Sequence, residues 1–195
     1  MRWQAEGYVL ALRKHGESGH IVELLTYERG RVAGFVRRSR KNENILQMGN
    51  LVSATWSARL AEHLGNFSLE SRKTVYAKIA DHHTSLLALE SAAILSRYLP
   101  ENHAYPRLYT HFTNLIEALG DSDVWREHYV RFEWVLLEET GFGLDLSECA
   151  GGGGREDLIY IPPKSGQVVS REKGAPWAEK LLLLPEFLRD DSCAK

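Results

Sequence analysis

The sequence predicts a multidomain α+β protein in which a five-stranded β-barrel comes first and an α-helical domain follows. Three observations lead to this prediction. Between residues 7 and 76 apolar residues tend to alternate, as in strands with one buried face. After Tyr76 they recur at helical intervals. Basic residues outnumber acidic ones in the first half only, so the two halves differ in charge as well as in periodicity.

Five short segments account for the predicted strands of the first domain, which we place at residues 1–79. Between the second and third strands, Glu28-Arg29-Gly30 is typical of a hairpin turn, since glycine adopts a positive φ without steric cost. Five short strands in the basic half of a chain favour a small closed barrel of the OB-fold type. The predicted strands cover residues 8–13, 20–26, 31–36, 51–58 and 67–75.

Three amphipathic helices are predicted in the second domain, residues 80–195. The first carries apolar residues from Leu86 to Tyr98 and stops before Pro100. The second extends from Leu108 to Leu119, and Gly120 follows at a capping position. No linker rich in Pro, Ser and Gly separates the two domains, so we expect the barrel to pack directly against the helices.

The third helix has the strongest pattern, with Trp125, Tyr129, Phe132 and Leu136 on one face. Residues 121–123 offer N-cap candidates, and glycines at positions 141 and 143 end the helix. A run of four glycines, residues 151–154, then predicts a loop before a short extended segment at residues 158–162.

Several classes of protein are disfavoured by composition. The apolar runs fall far short of the roughly 20 residues of a membrane-spanning helix. Glu6 lies where a secretory signal would have its apolar stretch, so we expect a cytoplasmic location. Cys149 and Cys193 are the two cysteines of the chain, which is too few for a disulfide scaffold.

The charge asymmetry points to a polyanionic partner. Residues 1–80 contain 13 Lys and Arg against 7 Asp and Glu, a net charge of +6, and the rest contains 11 against 19, a net charge of −8. Such basic strands and loops suit a groove that follows a nucleic-acid backbone; a solvated loop is the alternative. The candidate nucleic-acid-binding residues are Arg13, Lys14, Arg29, Arg31, Arg37, Arg38, Arg40, Lys41, Arg59, Arg72 and Lys73.

Aromatic residues among these strands have two interpretations. Trp56, Phe67, Phe35 and Tyr27 are either stacking platforms for unpaired bases or part of the barrel core. The pattern favours the core for any one of them.

Catalytic and metal-binding patterns are weak, so we expect no enzyme activity, no cofactor and no metal. His82 and His83 are adjacent, and adjacent side chains on a helix point in different directions. Cys149 has no Cys-x-x-Cys or His companion nearby in the sequence. A nucleophile with its base is not evident, which leaves a hydrolase that uses scattered His and Glu as the least favoured hypothesis.

Three motifs resemble one protein family. The segment from Phe132 to Cys149, FEWVLLEETGFGLDLSEC, is similar to the helix-to-loop segment of the bacterial recombination mediator family RecO. The opening strands from Glu6 to Arg31 resemble the same family. Asp157-Leu158-Ile159-Tyr160 with Pro163-Lys164-Ser165-Gly166 resembles its proteobacterial branch, so the likeness covers nearly the whole chain.

The resemblance implies an OB-fold followed by a helical domain and a role in DNA repair at the nucleoid. It further implies binding of single- and double-stranded DNA, annealing of complementary strands, contact with the acidic C-terminal tail of single-stranded-DNA-binding protein, and partnership with RecR. A functional link to RecF and the loading of RecA onto coated DNA belong to the same expectation. The hairpin and loop from Arg29 to Lys41 match the family's expected DNA face.

The sequence departs from the family in two respects. Many members carry a four-cysteine zinc site after the helix, whereas Cys149 stands alone, so a metal is not carried over. Relatives usually continue into a further basic helix, whereas this chain ends at residues 190–195, so we expect a truncated or divergent C-terminus.

Two hypotheses of different class follow. In the first the protein is a DNA-binding mediator, and in the second it is an adaptor whose basic loop meets only an acidic peptide. Charge complementarity alone does not separate them. Arg126 and Arg131, on the third predicted helix, are candidates for the partner-peptide site.

Overall fold

A computed structural model describes residues 1–39, 42, 44–60, 63–120, 124–152 and 154–189. The chain forms two compact units, Met1–Phe132 and Glu133–Lys195. The first unit contains the barrel together with the helices that follow it. The proposed division into domains at residues 1–79 and 80–195, which separates strands from helices, stays a prediction.

The N-terminal strands close into a five-stranded barrel with the strand order β1-β2-β3-β5-β4. This confirms the predicted α+β class, with an OB-type barrel before the helices. The hairpin turn is also found, with Gly30 at a φ of 61°. The strands are β1 (Arg2–His15), β2 (Gly19–Thr26), β3 (Gly30–Arg37), β4 (Leu51–Ser57) and β5 (Asn66–Lys73).

The barrel closes because β1 is long enough to pair along both of its halves. Its first half pairs with β4 and its second half with β2, and a bulge between Val9 and Ala11 lets the strand bend. The prediction for this strand covered residues 8–13 only. Trp3 and Ala5 continue the alternation toward the N-terminus, but only the pairing with β4 shows that these residues belong to the same strand.

The strands are staggered, as closure of a barrel requires. If one follows cross-strand partners once around the barrel, the last partner on β1 therefore lies far along the strand from the first. It runs from Arg2 through Ser57, Asn66, Phe35 and Ile21 to Arg13.

The interior of the barrel is filled by aliphatic residues and by two of the predicted platform aromatics. Trp56 and Phe67 are both buried in this core, and Trp3 stacks on Trp56 with ring centroids 5.6 Å apart. For these two residues the core interpretation is therefore correct, because they lie on the inward face of β4 and β5. Tyr27 is 48% exposed and packs edge-on against Tyr109.

Helices pack directly against the barrel, as expected. Tyr8 of β1 lies 5.6 Å from the ring of Tyr109 and 5.4 Å from that of Phe112. Burial raises the pKa of Tyr8 above its ordinary value. The helices are α1 (Tyr76–Ile79), α2 (His83–Ser96), α3 (Pro106–Ala118) and α4 (Trp125–Glu139).

The third and fourth helices end close to the glycines that were predicted to stop them. Gly120 follows α3 with a φ of 88°, and Gly141 follows α4 with a φ of 85°, the left-handed backbone that glycine adopts most readily. The N-cap candidates at residues 121–123 lie outside the described residues.

The second unit contains the end of α4 and a small antiparallel sheet. The predicted extended segment is confirmed as β6 (Leu158–Ile161), which lies between β7 (Val169–Ser170) and β8 (Leu182–Leu183). These two flanking strands are two residues long, too short to leave a pattern in the sequence. A short helix, α5 (Arg171–Gly174), and two 3₁₀ turns, Ala175–Lys180 and Glu186–Leu188, complete the unit.

Within the described residues, none of the helices combines the length and the apolar character that crossing a membrane requires.

Candidate nucleic-acid interface

Two neighbouring rows of cross-strand partners bring basic and aromatic residues together at one end of the outer face of the barrel. Arg13 pairs across β2 with Ile21, which pairs with Phe35. In the next row on the same face, His15 pairs with Gly19, which pairs with Arg37. The residues that alternate with these along β2 and β3 belong to the barrel core, so the side chains of the two rows point away from the core. We call Arg13, His15, Phe35 and Arg37 the basic strip.

Phe35 lies at the centre of the basic strip, where the missing side chain of Gly19 leaves room for its ring. A Cβ atom on Gly19 would lie 2.5 Å from Cζ of Phe35 and 2.3 Å from the carbonyl oxygen of Val36. The glycine therefore lets the ring lie flat across β2. His15 meets the ring edge-on, with centroids 6.0 Å apart. The ring is half-buried, so part of it is accessible to a stacking base.

Two loops border the basic strip. The loop at residues 16–18 is tied to β3 by a 2.8 Å hydrogen bond from the amide of Arg38 to the carbonyl of Ser18. The loop between β4 and β5 is tied to β3 by a 2.9 Å bond from the amide of Phe35 to the carbonyl of Gly65. In OB-folds the face of the second and third strands and these same two loops bind oligonucleotides. Arg59 lies exposed in the second loop.

Lys14 and Arg38 lie at the same end of the barrel but turn toward its mouth. Lys14 pairs with His20, which pairs with the core residue Val36, so their side chains belong to the inner face. Arg38 lines a small pocket at the mouth. The structure therefore brings Arg13, Lys14, Arg37 and Arg38 together around the end of three strands.

Arg29 and Arg31 lie at the opposite end of β3. The guanidinium of Arg29 sits 4.8 Å above the ring of Trp3, in cation–π contact. Arg31 forms ion pairs of 3.0 Å with Glu23 and 3.1 Å with Glu101, and it donates to the carbonyl of Leu99 at 3.0 Å. Since its side chain is 16% exposed, Arg31 ties the barrel to the segment after α2.

Glu23 is the centre of this polar cluster. It also accepts two hydrogen bonds of 3.1 Å from Arg97 near the end of α2. Burial opposes ionisation of Glu23, but the hydrogen bonds from Arg97 and Arg31 outweigh burial and lower the pKa of the carboxyl group. The cluster covers the outer face of β2 and β3 at the end away from the basic strip.

Arg72 and Lys73 are neutralised within the first unit. Arg72 pairs with Glu6 at 3.0 Å, and Lys73 pairs with Glu117 at 3.2 Å. Both pairs are about half exposed, so water weakens them and either side chain can exchange partners. Arg40 and Lys41 lie outside the described residues, so their predicted role stays a prediction.

Comparison with known proteins assigns both parts of the chain to one family. Residues 1–74 match the family model described as Recombination protein O N terminal. Residues 80–195 match the model Recombination protein O C terminal. The chain belongs to the RecO family. The resemblance seen in the sequence is thereby confirmed.

Relatives named DNA repair protein RecO extend this match over nearly the whole chain. The protein of Mesorhizobium japonicum is 47% identical over 98% of this chain and 77% of its own length. That of Brucella abortus strain 2308 is 46% identical over 97% and 78%. That of Rhizobium johnstonii is 44% identical over 96% and 74%.

In this RecO-family chain the two candidate partner-peptide residues do not share a face. Arg126 is exposed, and its guanidinium lies 5.4 Å from the ring of Trp125. Arg131 follows five residues later on α4 and is half-buried, so the two side chains point in different directions. Their role in peptide binding stays a prediction.

Cys149, which follows α4 in the chain, lies buried in the second unit. Its Sγ accepts a hydrogen bond from the amide of Ser170 at 3.3 Å, which lowers the pKa of the thiol. Over the described part of the chain, His, Cys, Asp and Glu form no group of three suited to a metal ion.

The pattern of basic residues in the sequence does not point to His15, which lies in the basic strip beside Phe35. The short polar loop between Lys14 and His20 was the available signal, since a tight β1–β2 connection brings its flanking residues side by side.

Proposed function

We propose that this protein is a non-enzymatic DNA repair and recombination mediator that binds single- and double-stranded DNA on the basic strip of its barrel. Membership of the RecO family supports the DNA repair role. The observation that carries the binding site is the placement of Phe35 between Arg13 and Arg37, over Gly19, on the strand face that OB-folds use for oligonucleotides.

The two kinds of side chain in the basic strip have different tasks. One arginine guanidinium group donates two hydrogen bonds to a phosphate, and this contact does not depend on the base sequence. An aromatic ring stacks with any unpaired base, and such stacking contributes about 1–3 kcal/mol per base. A duplex offers the phosphates but not the base faces, so double-stranded DNA depends on the arginines, and single-stranded DNA uses Phe35 as well.

A strand held in this way is suited to annealing, since the phosphate contacts leave base edges open to a complementary strand. We extend the proposal to the family's partners: the acidic C-terminal tail of single-stranded-DNA-binding protein, RecR, and the functional links to RecF and RecA. In this scheme the protein, at the cytoplasmic nucleoid, helps RecA to load onto coated DNA.

The proposal is tested by fluorescence anisotropy of labelled single- and double-stranded 20-mers with the double variant Arg13→Glu, Arg37→Glu. We expect a loss of at least about 30-fold in affinity for both DNAs at low salt, because two attractive charges become repulsive. The variant Phe35→Ala is expected to weaken single-stranded binding by about tenfold and to leave duplex binding nearly unchanged.

A charge-matched control separates a local effect from the change in net charge. Lys164→Glu with Lys180→Glu alters the same number of exposed charges in the second unit and is expected to retain DNA affinity. Unchanged DNA binding by the Arg13 and Arg37 variant would refute the proposal. If that variant instead lost binding of an acidic peptide alone, the protein would be an adaptor.

A further inference from the structure

A second group of positive charges lies at the start of β1, away from the basic strip. The guanidinium of Arg29 sits 4.8 Å above the ring of Trp3. The N-terminal ammonium of Met1 donates to the carbonyl of Ala58 at 2.6 Å, and the amide of Ala58 donates to the carbonyl of Met1 at 3.1 Å. Arg59 follows Ala58 in the chain. We call Arg29, Arg59 and the Met1 ammonium the second basic cluster.

The arginines of the second basic cluster are available to an anion. Arg29 and Arg59 are both exposed, and neither forms an ion pair with any residue that the structure describes. Burial raises the pKa of Tyr109, and the charge of Glu28 adds to this effect, so the carboxylate that precedes Arg29 acts on the tyrosine. In contrast, Arg31 is already engaged by carboxylates.

Arg29 is positioned by a stack of rings that ends in the barrel core. Trp3 lies 5.6 Å from the buried Trp56, with 11° between the two ring planes. The indole N–H of Trp56 donates to the carbonyl of Leu64 at 3.0 Å, which fixes the lower ring. A side chain that already rests on a fixed surface loses less conformational freedom when it binds a ligand. Arg29 is therefore prepared for a phosphate.

The loop between β4 and β5 connects the second basic cluster with the basic strip. Arg59 lies near the beginning of this loop, and Gly65 at its end accepts the hydrogen bond from the amide of Phe35. The outer face of β2 and β3 is a less suitable route, because the cluster around Glu23 covers it at the end away from the basic strip. A strand that leaves Phe35 across the loop arrives at the second basic cluster.

The separation of the two places sets the length of nucleic acid that can join them. Phe35 follows Arg29 by six residues, which is roughly 20 Å along a strand at 3.3 Å per residue. A stacked single strand covers this distance with about six nucleotides at 3.4 Å each. OB-folds typically engage 4–16 nucleotides, so a strand that contacts both places has an ordinary length for this fold.

We propose that the second basic cluster binds phosphates of the same single strand that the basic strip holds, so that a strand of about six or more nucleotides contacts the barrel at two separate places. This inference rests on the proposed function, because the basic strip supplies the first contact. It goes further in assigning a second contact to Arg29, Arg59 and the Met1 ammonium, and in making affinity depend on strand length.

The test compares labelled oligo(dT) of 4 and of 20 nucleotides with the unaltered protein and with the double variant Arg29→Gln, Arg59→Gln. We expect the variant to reduce 20-mer affinity about tenfold at low salt. Its salt slope should become shallower by about 1.4, as the loss of two phosphate contacts predicts. A stacked tetranucleotide is about 14 Å long and does not reach both places, so its affinity should stay within about twofold.

Two further variants separate the charge effect from other causes. Arg155→Gln with Lys164→Gln removes two exposed positive charges from the second unit and is expected to keep both affinities and the slope. Arg29→Lys with Arg59→Lys retains the charges and is expected to keep the slope and to hold 20-mer affinity within about threefold. A lysine variant that loses as much as the glutamine variant would show that phosphate attraction is not the cause.

The two proposals fail in different ways. If the glutamine variant keeps 20-mer affinity, or loses 4-mer and 20-mer affinity equally, the second contact is wrong and the basic strip stands. If neither oligomer binds the unaltered protein at low salt, the proposed function and the second contact are both wrong.

Discussion

The position of Phe35 depends on the absence of a side chain at Gly19. Gly19 is the first residue of β2, and the group that approaches it closely is the aromatic ring of the neighbouring strand. A mutation at Gly19 would therefore act on DNA binding without removing any group that touches DNA.

Gly19→Ala is expected to lower the free energy of unfolding by about 1–3 kcal/mol, because the new methyl group overlaps both Phe35 and the Val36 carbonyl. Affinity for single-stranded DNA should fall with it, since the ring is displaced. Chemical denaturation and anisotropy measure the two effects. Thr84→Ala, at an exposed position near the start of α2 and away from the basic strip, is the control and should leave DNA affinity unchanged.

The carboxyl group of Glu23 makes stability depend on pH. Its pKa is lowered in the folded protein, so folding is favoured by its ionised form. This contribution is fully present above the ordinary pKa of 4.5 and is lost as the pH falls through the lower folded value. Below that value both the folded and the unfolded protein carry a protonated Glu23.

Glu23→Gln is expected to cost about 2 kcal/mol of unfolding free energy at pH 7, because it weakens the hydrogen bonds from Arg31 and Arg97. The difference between the variant and the unaltered protein should shrink as the pH is lowered below 4.5. Urea unfolding between pH 7 and pH 3 measures it. A difference that does not depend on pH would contradict the assignment to the charged form.

At the scale of elements, Asn50 joins the start of β4 to the chain leading into α1. Its side-chain oxygen accepts hydrogen bonds from the amides of Val75 at 2.8 Å and Tyr76 at 3.2 Å. Its amide nitrogen donates to the carbonyls of Asn44 and Ile45. Asn50 itself is 2% exposed, and its bonds with Val75 and Ile45 are buried, so no water is at hand to replace it there.

Asn50→Ala is expected to destabilise the protein by about 2–4 kcal/mol, because it removes two buried and two partly buried hydrogen bonds to backbone groups. Thermal unfolding followed by circular dichroism measures the loss. Asn66→Ala makes the same chemical change at an exposed side chain and should stay within about 0.5 kcal/mol of the unaltered protein. Similar losses in the two variants would show that the hydrogen bonds of Asn50 are dispensable.

Strands and helices with a regular apolar period were predictable from the sequence. The second strand, predicted at residues 20–26, is found at Gly19–Thr26. Gly120 and Gly141, predicted to end two helices, both adopt a positive φ just after a helix. Elements without a period were not: the two-residue strands of the second unit form only through pairing with β6.

The candidate site was predictable in composition but not in arrangement. Sequence proximity grouped Arg29 and Arg31 with Arg37, yet β3 separates them by its whole length. Arg31 is also engaged by Glu23, which no local pattern reveals. Conversely, Arg13 lies near Arg37 only because β2 passes between them, and this register depends on the fold.

Across the whole molecule, the net charge of −2 conceals the basic first half. Binding through phosphate contacts releases counterions, so affinity for single-stranded DNA should fall linearly with salt on logarithmic axes, with a slope of about −0.7 per contact. Base stacking at Phe35 adds little to this slope, because it releases no counterions.

Arg37→Gln is expected to make the salt slope for single-stranded DNA shallower by about 0.7, as the loss of one phosphate contact predicts. Anisotropy titrations between 50 and 300 mM salt measure the slope. Lys164→Gln serves as the control and should keep it. A slope that Arg37→Gln leaves unaltered would mean that this arginine does not meet a phosphate.

The Glu23 cluster covers one end of the β2–β3 face, so the open strip is short. Three strands about 4.8 Å apart span roughly 10 Å, which is the axial length of about three base pairs of duplex DNA at 3.4 Å each and of fewer nucleotides in an extended single strand. Such a footprint is below the 4–16 nucleotides of typical OB-folds. A long strand gripped over so few nucleotides keeps most of its bases available for pairing.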